Sequence, residues 1–194
     1  MKLSSKVIVA LPLLAVGLAC ATYAVLPTQM DVEERLVLEA SPEEVYALLE
    51  NPTQWERWSP VNKQADPSMI RLYGGPMAGA GARMQWSGDR VGNGELLITE
   101  SLRPAQLAYL QHEHKNAGSI QGAITLAPVP GGTQVVWRQQ AVVGQYPWGR
   151  VQGLLLQRRK QEEAQKGLQN LQTLLVDSSK KKAAKKRTTY ADRH

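Results

Sequence analysis

The chain has 194 residues, of which 43% are hydrophobic and 21% charged, so its composition is that of a globular protein of about one domain. The single cysteine excludes an intrachain disulfide. The net charge is +6, but residues 177–194 carry +5 and Lys2 with Lys6 add +2, which leaves −1 for the rest. A nucleic-acid-binding fold is expected to carry its positive charge on the folded body, so nucleic acid is not predicted as a partner.

Residues 7–26 form an uncharged run, long enough as a helix to cross the roughly 30 Å hydrocarbon core of a membrane. Lysines before the run and acidic residues after it orient the N-terminus toward the cytoplasm. Two interpretations of residues 1–29 stay open. One is an uncleaved single-pass anchor in the inner membrane with the domain in the periplasm. The other is a signal peptide, cleaved after a sequence such as Ala19-Cys20-Ala21, which would export a soluble protein.

The body begins with a predicted strand over residues 32–39, followed by a helix with a capping signature. Ser41 is a good N-cap, Pro42 suits the first turn, and Glu44 stands where a capping box needs it. Asn51 and Pro52 end this helix, and residues 53–58 are predicted as a second short helical segment.

From residue 69 onward the pattern predicts β-structure. Segments rich in Gly, Pro and Asn separate the apolar stretches at the spacing of hairpins. Strands joined by such short loops are antiparallel. The six predicted strands cover residues 69–73, 82–87, 95–102, 106–114, 119–127 and 133–142.

A long helix is predicted over residues 150–176. One helical face carries Leu154, Gln157, Gln161, Ala164, Leu168, Leu171 and Leu175. If this face lies on the sheet, the two glutamines point inward and indicate a cavity, because buried polar groups need partners. If the helix is rotated slightly, both glutamines lie at the solvent edge.

The remaining segment, residues 177–194, is rich in lysine and poor in apolar residues, so it is predicted to be disordered. On the exported side of a membrane, its charge would attract anionic lipids or other anionic polymers of the envelope.

Several short motifs follow one another along the body in a fixed order. They are ASPEEVY at 40–46, WERWSP at 55–60, YGGP at 73–76, GAGA at 79–82, Trp86, GNG at 92–94, ITE at 98–100, GT at 132–133, VVW at 135–137, and Gly167, Leu168 and Leu171.

Together these motifs resemble the START-like (SRPBCC) superfamily, in particular its bacterial polyketide cyclase/dehydrase and lipid-transport branch. The resemblance covers about residues 31–176 and implies an α+β helix-grip domain over residues 30–176. In that fold an antiparallel sheet wraps around a long C-terminal helix; here one N-terminal hydrophobic helix would precede the domain. The resemblance also implies an internal ligand cavity rather than a fixed catalytic motif.

Six residues are predicted to line the cavity: Trp86, Ile98, Glu100, Trp137, Gln157 and Gln161. Glu100 shares its strand parity with Ile98, so its carboxyl either enters the cavity, where burial would raise its pKa, or meets solvent at the strand end. The two tryptophans lie among apolar strand residues, as core or as cavity wall.

No metal and no cofactor are predicted. His112 and His114 share a strand face, but two ligands are too few for a closed zinc site. The glycine-rich residues 74–81 lack the ending of a phosphate loop and lead into a strand. The sequence has no nucleophile elbow, and Cys20 lies in the hydrophobic run.

Three functions are compatible with these observations. The first is a membrane-tethered domain that binds a hydrophobic or amphipathic, lipid-like small molecule without chemistry. The second is a cyclase- or dehydrase-type enzyme that uses Glu100 as a cavity carboxylate. The third is an envelope interaction protein that acts through its anchor and its basic tail.

Overall fold

The computed structural model describes residues 27–114, 118–144 and 147–191, together with Gly17. One antiparallel sheet of seven strands, in the order β1-β7-β6-β5-β4-β3-β2, packs one face against a long C-terminal helix. This is the helix-grip arrangement that the sequence predicts. The strands are β1 (Gln29–Leu38), β2 (Ile70–Gly74), β3 (Arg83–Ser87), β4 (Gly94–Leu102), β5 (Gln106–Glu113), β6 (Ser119–Val129) and β7 (Gly132–Val142), and the helices are α1 (Pro42–Leu49), α2 (Trp55–Trp58) and α3 (Pro147–Ala191).

The two short helices form where local signals predict them. The Ser41 hydroxyl accepts a hydrogen bond from the backbone N–H of Glu44 at 3.3 Å, which satisfies one free donor at the start of α1. Two indole N–H groups then tie α2 back to α1: Trp55 donates to the Leu49 carbonyl at 2.8 Å and Trp58 to the Leu48 carbonyl at 3.1 Å. These bonds hold α2 over one end of the sheet.

The core lies between the sheet and the middle of α3. Ala164, Leu168, Leu171 and Leu175 are buried there against strand residues, as the helical spacing predicts. A smaller cluster, built from Met30, Val32, Ile120, Ala141 and Val143, lies under the N-terminal part of α3. The helix is therefore anchored most firmly by its middle.

The first half of α3 presents a different face to the sheet than expected. A Cβ on Gly153 would lie 2.7 Å from a Val143 methyl, so the helix approaches the sheet through this glycine rather than through Leu154. Gln161 is exposed and donates to Glu34 at 3.1 Å, and Gln157 is only half-buried. The prediction that both glutamines point inward is therefore wrong for Gln161. Its position at the solvent edge agrees with the alternative of a slightly rotated helix.

The predicted disorder of residues 177–194 is wrong over residues 177–191, because α3 continues to Ala191. Lysine, alanine and arginine are good helix formers. Extending a helix that is already anchored avoids the cost of nucleation. Residues 192–194 lie outside the described part of the chain.

The predicted hydrophobic helix over residues 7–26 also lies outside the described residues, apart from Gly17. Within the part of the chain that the structure does describe, no helix combines the length and apolar character needed to cross a membrane.

Candidate functional site

A small internal space of about 30 Å³ lies between the sheet, α2 and α3. This volume is close to that of one water molecule. Its walls are mainly aromatic and aliphatic, and they include Trp86 and Trp137, two of the residues predicted from the sequence. The full lining is Trp55, Ser59, Pro60, Val61, Met84, Trp86, Leu96, Gln111, Trp137, Gln139 and Glu163.

The other four predicted residues lie elsewhere. Ile98 is fully buried in the core but does not line the space. Gln157 and Gln161 are also absent from its lining. Glu100 is exposed, and its carboxylate accepts a long hydrogen bond of 3.5 Å from the Gln106 amide.

A β-bulge explains the position of Glu100. Ile98 pairs with Tyr109 but Glu100 pairs with Ala108, so β4 has one extra residue at this point. After Ile98, the next residue of β4 that points inward is therefore Ser101 and not Glu100. The Ser101 hydroxyl hydrogen-bonds the hydroxyl of Tyr46 at 2.6 Å. The inward placement of Glu100 is therefore wrong, and the enzyme hypothesis loses its carboxylate.

A polar network at the space centres on the Tyr109 hydroxyl. This hydroxyl accepts hydrogen bonds from the indole N–H of Trp137 at 2.9 Å and from the carboxamide Nε2 of Gln139 at 3.2 Å. Burial raises the pKa of Tyr109, so the phenol stays neutral. Gln139 is 3% exposed, and the other end of its carboxamide, Oε1, has no hydrogen-bond partner among the described residues. A buried polar group left unpaired costs about 1–3 kcal/mol, so a polar group placed in the space would gain that hydrogen bond.

Glycines allow the aromatic side chains to lie directly on the neighbouring backbone. A Cβ at Gly122 would come within 2.0 Å of the Tyr109 ring, and one at Gly94 within 2.3 Å of the Trp86 ring. Trp55 and Trp58 complete the aromatic cluster, with Trp58 edge-on to Trp137 at a centroid distance of 5.6 Å. Small residues in β4 and β6 thus position the walls of the space.

An ion cluster lies beside the space and was not predicted from the sequence. Lys160 is only 1% exposed, and its ammonium group donates to Glu163 at 2.7 Å and to Glu113. Arg159 also pairs with Glu113. Burial alone would raise the pKa of Glu113, but the charges of Lys160 and Arg159 and the hydrogen bonds that it accepts hold it below its usual value.

The alternation of side chains along β5 is the sequence feature that could have indicated this cluster. Tyr109, Gln111 and Glu113 alternate toward the helix, whereas His112 is exposed on the other face and His114 is exposed just beyond the strand. Within residues 27–114, 118–144 and 147–191, no three His, Cys, Asp or Glu side chains are grouped closely enough to hold a metal ion.

Asp66 fixes the loop over residues 59–69, which supplies part of the wall. Its buried carboxylate accepts hydrogen bonds from the Ser68 hydroxyl at 2.6 Å and from the backbone N–H groups of Arg90 and Val91 at 2.7 and 3.0 Å. These hydrogen bonds lower the pKa of Asp66 to about 2, and the bond from the Ser68 hydroxyl has the largest effect. The loop is thereby joined to the turn between β3 and β4.

We expect Asp66→Asn to lower stability at neutral pH and to flatten its dependence on pH. A carboxyl whose pKa is lowered by folding stabilises the fold above its ordinary value of 3.8, and this contribution is lost as the pH falls toward 2. Urea unfolding of the wild type and the variant at pH 6 and pH 3 measures this. Equal pH dependence in the two proteins would contradict the prediction.

A second, wider concavity of about 1070 Å³ lies next along the sheet and α3, where β1 begins and β7 leads into α3. We call it the terminal groove. The first turns of α3 form one side, with Trp148, Gln152 and Leu155, and strand ends that include Gln29 and Val142 form the other.

Comparison with known proteins assigns the family. The sequence profile of the family described as "Polyketide cyclase / dehydrase and lipid transport" matches residues 29–176. The chain belongs to this family. The match begins with β1 and ends inside α3, so it covers the sheet and all the helices that surround the internal space. None of the curated proteins matches the sequence.

Solved structures of low sequence identity share the fold of this family member. Protein CV1439 from Chromobacterium violaceum is 19% identical with a TM-score of 0.56, over 75% of this chain and 96% of that one. Protein Ms6760 from Mycobacterium smegmatis is 17% identical with a TM-score of 0.55, over 79% and 94%. The di-domain ARO/CYC StfQ from the steffimycin biosynthetic pathway is 12% identical with a TM-score of 0.59, over 78% and 52%.

Proposed function

We propose that this chain is a membrane-tethered domain that binds an amphipathic, lipid-like small molecule between its sheet and α3, without catalysing a reaction. The observation that carries the proposal is the unpaired end of the Gln139 carboxamide in a space walled by Trp55, Trp86 and Trp137. Apolar ligand surface would supply most of the affinity, and one polar group would pair with Gln139.

A ligand of this kind requires the space to enlarge, since about 30 Å³ accommodates one water molecule. The movable wall is α2 with the loop over residues 59–69. The helix α2 has only four residues. The backbone carbonyl of its Trp58 accepts one hydrogen bond from the Asn170 side chain of α3 at 2.9 Å. The opposite wall is a seven-stranded sheet. Opening at α2 would break the bond from Asn170 and the two indole bonds to α1 and would uncover Trp55 and Trp58, but it would leave the hydrogen bonds of the sheet intact.

The polar groups on the wall support binding rather than chemistry. They are the Ser59 hydroxyl, the amides of Gln111 and Gln139, and the Glu163 carboxylate, which is already paired with Lys160. Glu100 lies outside the space, so no free carboxylate among the described residues lines the wall as a general acid or base.

The proposal includes attachment and location. Residues 7–26 would form the tether, with the N-terminus in the cytoplasm and the domain in the periplasm. The basic end of α3 would contact anionic lipids or polymers of the envelope.

Gln139→Leu tests the binding site, with Gln140→Leu as the matched control on the opposite face of the same strand. We expect Gln139→Leu to change the free energy of unfolding of the ligand-stripped chain by less than about 1 kcal/mol, because the unpaired polar end is removed together with its bond to Tyr109. Its affinity for the bound molecule should fall about tenfold, which is about 1.4 kcal/mol.

The measurement is the melting temperature of the full chain as purified in detergent and after removal of bound small molecules on a hydrophobic resin. A bound ligand raises this temperature, and the rise grows with the logarithm of its affinity. We expect stripping to lower it in the wild type and in Gln140→Leu, and to lower it less in Gln139→Leu. A wild-type chain whose melting temperature is unchanged by stripping would contradict the proposal.

A further inference from the structure

An exposed apolar patch lies around the terminal groove. Val142, Trp148 and Leu155 line the groove, and Val151 and Leu154 are exposed on the same turns of α3; we call these five residues the terminal patch. Trp148 is 70% exposed and Val142 71% exposed. Trp148, Val151 and Leu155 follow one another at helical spacing along α3, on the side that does not contact the sheet. Large apolar side chains that are grouped in this way mark an interaction surface.

The terminal patch adjoins the point where the N-terminal segment enters the domain. Gln29 pairs with Val142, and the Val143 N–H donates to the Thr28 carbonyl at 3.0 Å. The uncharged run of twenty residues ends at Leu26, only three residues before Gln29. Gln29 lines the terminal groove, and an extended chain covers about 3.3–3.6 Å per residue, so the sequence leaves at most about 10 Å of chain between the run and the groove.

The charge and residue types around the patch fit a lipid surface. Among the first fifteen residues of α3, none is acidic and Arg158 is exposed, whereas the charges of Arg159 and the buried Lys160 are already paired with Glu113. Basic residues close to a membrane are attracted to anionic headgroups, and tryptophan is the side chain that favours the membrane–water interface.

A second group of exposed apolar residues gives a contrast. Ile70 and Leu72 are equally exposed on β2, but β2 is the opposite edge of the sheet from β1. The chain enters the domain at β1, so only the terminal patch is placed beside the proposed tether.

We infer that the terminal patch rests on the lipid bilayer, with Trp148 inserted among the headgroups and upper acyl chains. The inference rests on the tether in the proposed function, and it adds the face that the domain turns toward the membrane. The terminal groove then opens directly onto the lipid from which an amphipathic ligand would come.

The test uses the full chain in vesicles of phosphatidylethanolamine and phosphatidylglycerol whose acyl chains are brominated near the headgroup. Bromine quenches nearby tryptophan, and Trp148 is the exposed one of the five tryptophans, since the other four are at most 6% exposed. We expect brominated lipid to remove the solvent-exposed part of the emission in the wild type and to leave Trp148→Phe unchanged. Val151→Ser with Leu155→Ser should weaken the quenching at least twofold, and Ile70→Ser with Leu72→Ser should not.

An alkaline carbonate wash of the same vesicles distinguishes the docking of the terminal patch from the proposed membrane tether. A chain that stays with the vesicles while Trp148 is not quenched would overturn the docking and leave the tether standing. A chain that is washed off would overturn both. Shielding of Trp148 that depends on protein concentration and not on brominated lipid would mean that a second copy covers the patch, and would also overturn the inference.

Discussion

Gly122→Ala is expected to destabilise the domain by about 1–3 kcal/mol, a large effect for one added methyl group. The new Cβ would lie 2.0 Å from the Tyr109 ring, so the ring must move. Moving it breaks the two hydrogen bonds that the Tyr109 hydroxyl accepts from Trp137 and Gln139 and that organise the internal space. The free energy of unfolding in guanidinium chloride measures the first effect, and retention of the bound molecule after purification measures the second.

Two further variants separate this mechanism from a general effect of substitution in β6. Thr125→Ala changes an exposed residue of the same strand and should stay within about 0.5 kcal/mol of the wild type. Tyr109→Leu removes the clashing ring, so adding Gly122→Ala to that variant should cost much less than it does in the wild type. Equal costs in the two backgrounds would show that the ring is not the cause.

Lys160→Met is expected to lower stability at neutral pH by about 3–5 kcal/mol. The substitution leaves Glu113 and Glu163 close together, with Arg159 as the cation that remains beside them. Lys166→Met is the matched control, because Lys166 is exposed on the same helix, and it should change stability by less than about 0.5 kcal/mol. Urea unfolding at pH 7 measures both.

The pH dependence of this pair of variants is a separate part of the same prediction. Folding holds the pKa of Glu113 below its ordinary value of 4.5. The ionised Glu113 carboxylate therefore stabilises the fold above pH 4.5, and this stabilisation is lost as the pH falls below 4.5. Without Lys160 the pKa of Glu113 is lowered only by Arg159 and the remaining hydrogen bonds, so Lys160→Met should lose less stability than the wild type between pH 7 and pH 3. A Lys160→Met protein as stable as Lys166→Met at pH 7 would contradict the role of the cluster.

The elements of the fold were predictable because their signals are local. The box formed by Ser41 and Glu44, the turn residues between strands and the alternation within them each act within a few residues. All six strands after residue 69 therefore form close to their predicted bounds. The tryptophans on the wall of the space were also found this way, since Trp86 and Trp137 keep the inward parity of β3 and β7.

The rest of the site depends on contacts between distant residues. The bulge that turns Glu100 outward is a property of the pairing of β4 with β5. The rotation of α3 depends on the approach of Gly153 to Val143, and it brings Lys160 inward in place of Gln161. Gln139 becomes important only because Tyr109 reaches one end of its carboxamide and nothing reaches the other.

Native mass spectrometry of the full chain, released from detergent after purification from its own cells, tests the central claim most directly. The account predicts a bound small molecule at one copy per chain, amphipathic in character and retained by Gln140→Leu but largely lost from Gln139→Leu. A wild-type chain that is consistently free of any small molecule, or a molecule bound equally well by Gln139→Leu, would contradict it.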